Sequence, residues 1–327
     1  MASLLLIATH ASAQETADPG ETARFHWGIL RFTPSIAVSN LGVDNNVFNT
    51  IDDQKRDTTA AAGPAVALWM NLGPVRVSAK TSGQYLYFKE FANQRSWNAA
   101  DDLRLELRLA RLKPFAQGTY ANTRQRPGFE IDARARASIN VATLGTELRA
   151  SGKTTLIFSG SRTTTAFDQN ETFLGATLAK ALNRYSDTEL LQFRYALTPL
   201  TTFVMTSEAI QDRFGEDRVR NSDSIRVLPG FEFKPFALIS GKASVGFRRF
   251  NVLSETVDDY QGVVASVDAK YMIATTTQIG ARVDRDVAYS FEEASPYYAL
   301  TDIGLTITQR LSRSWEVVAS GALQSLA

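Results

Sequence analysis

The chain has 327 residues, with 35 Lys plus Arg against 34 Asp plus Glu and a formal net charge of +1. This near balance gives no reason to expect nucleic acid as a partner. Cysteine is absent, which excludes disulfides, thiolate metal sites and cysteine nucleophiles. The only histidines are His10 and His26, so little is left for a histidine base or a histidine metal cluster. We therefore expect no cofactor and no metal site.

The N-terminus carries a short apolar run, Leu4-Leu5-Leu6-Ile7-Ala8, followed by Ala11-Ser12-Ala13. A short hydrophobic segment before small residues is typical of a secretory leader. No run approaches the roughly 18 to 20 apolar residues of a membrane-spanning helix. We predict a signal peptide at 1–13 whose positively charged n-region is truncated. A flexible periplasmic N-terminus at 14–25 and one outer-membrane β-barrel domain at 26–327 follow it. The alternative is a frayed, mildly apolar N-terminus.

Beyond residue 26, apolar and polar residues alternate with a period of two, as in strands with unlike faces. In one segment the apolar face carries Leu103, Leu105, Leu107 and Leu109, and the polar face carries Arg104, Glu106 and Arg108. Such segments are about twice as long as the strands of globular proteins, which typically have roughly five or six residues. Their length suits tilted strands that cross a bilayer and project beyond it.

Tight connections alternate with longer polar ones along the chain. The tight ones are centred on Gly73-Pro74, Lys113-Pro114, Ser151-Gly152, Thr198-Pro199, Lys234-Pro235, Ala274-Thr275 and Ser312-Arg313. The longer ones span residues 41–56, 91–95, 125–129, 168–183, 214–221, 253–258 and 292–295. Short turns on one rim and longer loops on the other are the layout of an outer-membrane barrel. The alternative fold is a soluble periplasmic β-sandwich. A sandwich does not require short and long connections to lie at opposite ends of the strands.

The segments between these connections predict an all-β fold, an antiparallel up-and-down transmembrane β-barrel. They number about fifteen, from residues 26–40 to residues 315–323. Bacterial single-chain barrels have an even number of strands. Either one segment is misassigned or the chain stops one strand early, and we favour a sixteen-stranded parent whose C-terminal strand is missing from this sequence.

The charged side chains of the polar faces are candidates for lining the lumen. They are Arg104, Glu106, Arg108, Arg134, Arg136, Arg194, Arg226, Glu232, Lys242, Arg248, Asp268, Lys270, Arg282 and Asp284. A charged lumen would set a preference among ions or solutes. The alternative is a ladder of interior salt bridges that fills the barrel and carries nothing. The sequence leaves both open, because the strand registers decide between them.

A hydrolytic enzyme built on a barrel would need a nucleophile, a base and an orienting group. His26 begins the first strand, and no spacing pairs it with a serine. A capped histidine at a strand end is the simpler interpretation. We predict no catalytic residues and no enzymatic activity.

Several loop and turn segments resemble a family of outer-membrane proteins, the beta-barrel porin 2 type. They are Gly42-Val43-Asp44-Asn45-Asn46-Val47-Phe48, Leu197-Thr198-Pro199-Leu200-Thr201, Asp212-Arg213-Phe214 and Gly246-Phe247-Arg248-Arg249-Phe250. The resemblance extends from about Phe32 to Trp315. It implies a membrane location and a pore, with an association of some members with exopolysaccharide export as a lead. It assigns no functional residue.

We therefore predict a non-catalytic protein of the Gram-negative outer membrane, acting as a passive pore or as an accessory to exopolysaccharide export. A plugged structural or assembly barrel without transport is the alternative. The expected partners are outer-membrane lipid and lipopolysaccharide, a small solute or polysaccharide, and the barrel-assembly machinery during biogenesis.

Overall fold

The structure, a computed structural model, describes residues 20, 22–48, 50, 53–128, 130–234, 238–274, 276–312 and 315–326. The predicted signal peptide lies outside these residues, as does most of the segment 14–25. Among the described residues no helix has the length and apolar character that crossing a membrane requires.

One antiparallel sheet of sixteen strands makes up most of the molecule. Its strands are β1 (Phe25–Trp27), β2 (Leu30–Asp44), β3 (Asp57–Leu72), β4 (Val75–Phe88), β5 (Ser96–Leu107), β6 (Leu112–Gln125), β7 (Ala135–Arg149), β8 (Thr154–Phe167), β11 (Arg184–Ala196), β12 (Thr201–Phe214), β13 (Ser222–Phe233), β14 (Ile239–Val252), β15 (Tyr260–Ala274), β16 (Thr277–Tyr289), β17 (Tyr297–Arg310) and β18 (Glu316–Leu326).

Between β8 and β11 the chain forms a small hairpin, β9 (Thr172–Phe173) and β10 (Ala176–Thr177), and a one-turn helix, α1 (Leu178–Leu182). Two 3-10 turns lie at Ala92–Gln94 and Arg218–Arg220. The hairpin turn uses positive φ angles at Leu174 (47°) and Gly175 (86°). Glycine adopts such angles at little cost.

The strands follow one another in chain order, so each is hydrogen-bonded to the next strand of the wall. The predicted fold class is confirmed, and fifteen strands have 11 residues or more. One predicted turn is misplaced: the tight connection expected at Lys113-Pro114 lies between Leu107 and Leu112, and Lys113 and Pro114 are part of β6. The β5–β6 ladder ends at Phe115, so Pro114 lies one residue beyond it.

The wall has two chemically different faces. The outer face carries large hydrophobic side chains that stay open to the surroundings, such as Leu144 (69% exposed), Ile225 (60%) and Leu305 (58%). The inner face carries most of the charged residues of the strands. A soluble protein buries its apolar side chains and exposes its charged ones, whereas this wall exposes apolar side chains on its outer face. The arrangement matches a wall whose apolar side contacts lipid.

The inner face is concave. Arg226 of β13 forms an ion pair with Asp286 of β16, although β14 and β15 lie between these strands. On a flat sheet three strand spacings would separate them by about 14 Å. The ion pair closes this gap because β16, at Asp286, bends toward the charged side of β13 and β14.

The two edges of the sheet are not paired with each other in the described part of the chain. At one edge, β1 covers only Leu30–Phe32 of β2. At the other, β18 pairs only with β17. Because an odd number of alternating strands leads from β2 to β18, these two strands run in the same direction.

Candidate functional site: a loop cap over a charged interior

The β16–β17 hairpin leaves the wall near its long-loop end. The β15–β16 ladder runs from Ala274 and Thr277 up to Ala265 and Arg285, and then stops. Beyond it, β16 keeps its pairing with β17 as far as Tyr289. The hairpin end is therefore free of β15. We call the gap that it leaves between residues 260–264 and residues 286–289 the seam.

Past the seam the hairpin lies over the inner face of β12–β14. The Tyr289 hydroxyl donates to Asp212 Oδ2 (2.8 Å) and lies 2.6 Å from Ser222 Oγ. The Tyr289 ring packs edge-on against Phe214, at 4.8 Å between ring centroids, and also contacts Phe250. Phe250 is fully buried (0% exposed). These contacts fix the hairpin inside the wall.

A second element reaches the same place from the opposite side of the wall. The connection between β8 and β11 carries the β9–β10 hairpin and α1, and all but one of the α1 side chains are buried. Their packing forms an apolar cluster whose buried members are Ile131, Ala135, Phe167, Leu178, Ala179, Ala181, Leu182 and Phe291. Phe173 meets Phe291 edge-on at 5.1 Å.

Hydrogen bonds of Glu130 join two loops that are far apart in the sheet. Glu130, in the β6–β7 loop, accepts hydrogen bonds from Ser290 Oγ (2.5 Å) and from the Phe291 N–H (3.3 Å). Six strands, β8 and β11–β15, separate β7 from β16. The contact therefore crosses the mouth of the barrel. We call the joined β6–β7, β8–β11, β12–β13 and β16–β17 connections the cap.

Arg220, on the 3-10 turn between β12 and β13, holds the cap from a third direction. Its side chain is 1% exposed and donates to the carbonyls of Ser290 (3.1 Å) and Glu292 (2.8 Å). It also forms an ion pair with Asp217. Burial lowers the pKa of Arg220, and the nearby carboxylates of Glu293 and Glu130 oppose that shift. If Arg220 left the cap, the Ser290 and Glu292 carbonyls would lose their hydrogen-bond donor, which is costly for buried groups.

Four arginines concentrate positive charge at the β6–β7 end of the cap. Burial, with the like charges of Arg124, Arg126 and Arg136, lowers the pKa of Arg134 to about 10. Arg134 donates to the carbonyls of Gln94 (3.0 Å) and Arg124 (2.9 Å). Arg134 therefore connects loops beyond the strands of the wall. It lies above the lumen that it was predicted to line.

Twelve of the fourteen predicted lumen residues lie on the inner face or directly at its end. They are Arg104, Glu106, Arg108, Arg194, Arg226, Glu232, Lys242, Arg248, Asp268, Lys270, Arg282 and Asp284. Most are ion-paired there, with Arg194 to Glu232 at 2.5 Å and Arg248 to Asp286 at 2.7 Å as examples. Lys242 and Asp268 face each other in register across β14 and β15.

Arg136 does not lie on the inner face, contrary to the prediction. It is opposite Arg124 in the β6–β7 register, on the face away from Lys113 and Glu147. Its guanidinium donates to Asn122 Oδ1 (2.5 Å) and to the Trp97 carbonyl (3.2 Å). In this part of β7 the alternation is inverted: Ser138 and Asn140 share the outer face with Arg136, and the apolar Ala137 and Ile139 lie on the inner face.

Sequence reasoning missed the cap. The sequence predicts a polar connection at residues 168–183, but the apolar, helix-forming run Leu178–Leu182 inside it packs against other loops. No local signal marks the contacts that Glu130 and Arg220 make with the β16–β17 connection, because these partners are more than 65 residues away. His26 lies in β1, with Nε2 3.1 Å from the Ala23 carbonyl.

Comparison with known proteins identifies the family. Residues 18–325 match the family described as "Putative beta-barrel porin 2". The chain belongs to this family. Its structure is similar to the crystal structure of the siderophore receptor PiuA from Acinetobacter baumannii, with a TM-score of 0.44 and 10% sequence identity over 91% of this chain and 62% of the receptor chain. The chain thus spans less than two thirds of the receptor's length. A comparison with curated proteins found no match.

The resemblance stated from the sequence is therefore confirmed, and it covers nearly the whole of this beta-barrel porin 2 chain. Chemically, its site is a wall with a charged concave side and a mouth bridged by apolar and hydrogen-bonded loops. Such an arrangement restricts which solutes reach the charged interior.

Proposed function

We propose that this chain is a non-catalytic outer-membrane channel whose long-loop mouth is held closed by the cap. Solutes would pass along the charged inner face once the cap opens. The observation that carries the proposal is the contact of Glu130 with Ser290 and Phe291 across the mouth.

The inner face supports a polar passage. Ion pairs such as Lys113–Glu147 (3.3 Å) leave both side chains partly exposed, at 27% and 17%. Lys242, Asp268 and Lys270 are exposed on the same face. Exposed charge on a concave wall is accessible to water and ions. Because basic and acidic groups are interleaved, we expect little preference between cations and anions.

A plugged barrel without transport is the second candidate, and the cap together with the inner ion pairs favours it. In this account Arg226 joins Glu208 and Asp286, and Arg248 joins the same Asp286, as permanent internal cross-links. The export role implied by the family resemblance stays a prediction.

The two candidates differ in what removal of the cap does. The test replaces residues 172–182 with a short Gly-Ser linker and records single-channel currents in planar bilayers. A channel with a closed mouth predicts small or rare openings in the parent protein and a several-fold larger conductance in the variant, because the apolar cluster loses Leu178 and Leu182.

A matched control shortens the loop at residues 254–257, between β14 and β15, which contributes no residue to the apolar cluster. We expect its currents to equal those of the parent. If the cap variant inserts and folds, as judged by heat-modifiable electrophoretic migration, yet conducts no current at any voltage, the channel proposal fails and the plugged barrel is favoured.

A further inference from the structure

Two arginines interrupt the apolar outer face near its long-loop end. Arg249 lies opposite Ile225 in the β13–β14 register, and Ile225 is 60% exposed. Arg285 lies opposite Ala265 and Thr301, on the same face as Ile303. Both arginines therefore emerge from the side of the wall that contacts lipid.

Within the described part of the chain, both guanidinium groups contact neutral acceptors. Arg249 donates to Asn251 Oδ1 (3.1 Å). Arg285 donates to Thr301 Oγ1 (2.6 Å) and to the carbonyl of Val263 (3.2 Å), a residue that has no partner on β16 in the β15–β16 ladder. Each side chain keeps donors for a further ligand, since a guanidinium has five N–H groups.

Two other arginines of the outer face, Arg162 and Arg213, are neutralised within the chain. Arg162 forms two hydrogen bonds of 2.7 Å with Asp187. Arg213 binds Asp223, the outer-face acid that lies opposite Asn251. The positive charge of Arg249 and Arg285 therefore has no matching acid in the described contacts of this part of the wall.

The position of the two arginines along their strands suits a lipid head group. Arg249 is three residues from the end of β14, and Arg285 lies opposite Ala265, five residues after the start of β15. A charge on the lipid face is far less costly near the interface than at the bilayer midplane. Between the arginines lies Val263, 53% exposed, which offers an apolar contact for an acyl chain.

We propose that Arg249 and Arg285 form a binding site for a phosphate group of a lipid in the leaflet on the long-loop side. The ligand class is a phosphorylated glycolipid. Guanidinium groups bind phosphate oxygens through paired, charge-assisted hydrogen bonds. The Val263 surface between the arginines would hold the adjoining acyl chain.

The test measures binding of diphosphoryl lipid A to the purified full chain in detergent by native mass spectrometry. The variant R249Q/R285Q should bind about tenfold more weakly or worse, because glutamine cannot replace the paired, charge-assisted hydrogen bonds of a guanidinium to phosphate. The variant R249K/R285K, which keeps both charges, should bind with intermediate affinity. R162Q is the matched control and should bind as the parent does.

Two further probes identify the source of the phosphate. Fully dephosphorylated lipid A should bind the parent weakly, and inorganic phosphate should not displace the intact lipid. The proposal is overturned if R249Q/R285Q binds like the parent, if R162Q weakens binding equally, or if inorganic phosphate competes as well as the lipid. Folding of every variant is checked by heat-modifiable migration.

Discussion

At the scale of single residues, Arg220 has the largest structural role in the cap. It is almost completely buried, and it joins two connections: its own β12–β13 turn and the β16–β17 connection, through the Ser290 and Glu292 carbonyls. Arg220 was not among the predicted site residues, because no local pattern in the sequence distinguishes it from the exposed Arg218 two residues earlier. Its partners follow from the in-turned hairpin, which is a property of the whole wall.

Replacing Arg220 with Met should loosen the cap without unfolding the wall. Amide hydrogen exchange at residues 290–292 should become roughly tenfold faster or more, because a hydrogen bond from a charged group contributes about 1.5–3 kcal/mol. Hydrogen exchange followed by mass spectrometry measures this. Arg218→Met is the control and should leave exchange unchanged. Equal exchange in parent and Arg220→Met would show that Arg220 does not hold the cap.

Arg136 shows why some residue assignments failed. Alternation separates two faces, and the polar one is the inner one only where the apolar one contacts lipid, as with Arg104 between Leu103 and Leu105. Near the long-loop end of β7 this relation is reversed, because Arg136 lies on the outer face and the apolar Ala137 and Ile139 lie on the inner one. Arg285 is preceded and followed by aspartates, so its outer-face position follows only from the β15–β16 register.

At the scale of elements, strand lengths and most connections could be predicted because each depends on local pattern. Long alternating segments with short and long connections predict fifteen long strands, and fifteen are found. The in-turned β16–β17 hairpin could not be predicted. Its strands alternate normally, and its departure from β15 depends on contacts of Tyr289 with Asp212 and Phe214, more than 70 residues away.

The close packing of adjacent strands gives a prediction for Gly145 of β7. A Cβ there would lie 2.7 Å from the Phe158 carbonyl oxygen and 2.6 Å from the Phe115 ring. Gly145→Ala should therefore lower the free energy of unfolding by about 1–3 kcal/mol, the usual cost of overpacking. The measurement is urea unfolding in lipid vesicles. Gly118→Ala, where a Cβ meets nothing within 4 Å, should cost much less; similar losses at both sites would refute the packing argument.

At the scale of the whole molecule, two features carry the proposed channel function. The wall is apolar outside and charged inside, which the sequence predicts through its period of two. The mouth is bridged by loops from opposite parts of the wall, which the sequence does not predict, because loop residues such as Glu130 and Ser290 find each other only after the sheet has curled. The fold class was therefore accessible from the sequence and the closed mouth was not.

The most direct test of the closed mouth uses the absence of cysteine from the sequence. In the variant E130C/S290C the only two thiols lie on opposite sides of the cap. A short, reducible bis-thiol cross-linker should join them in high yield within one chain. In planar bilayers the cross-linked protein should stay closed, and reduction should restore the openings of the parent. Failure to cross-link in the folded protein, or equal conductance before and after reduction, would contradict a cap that closes the barrel.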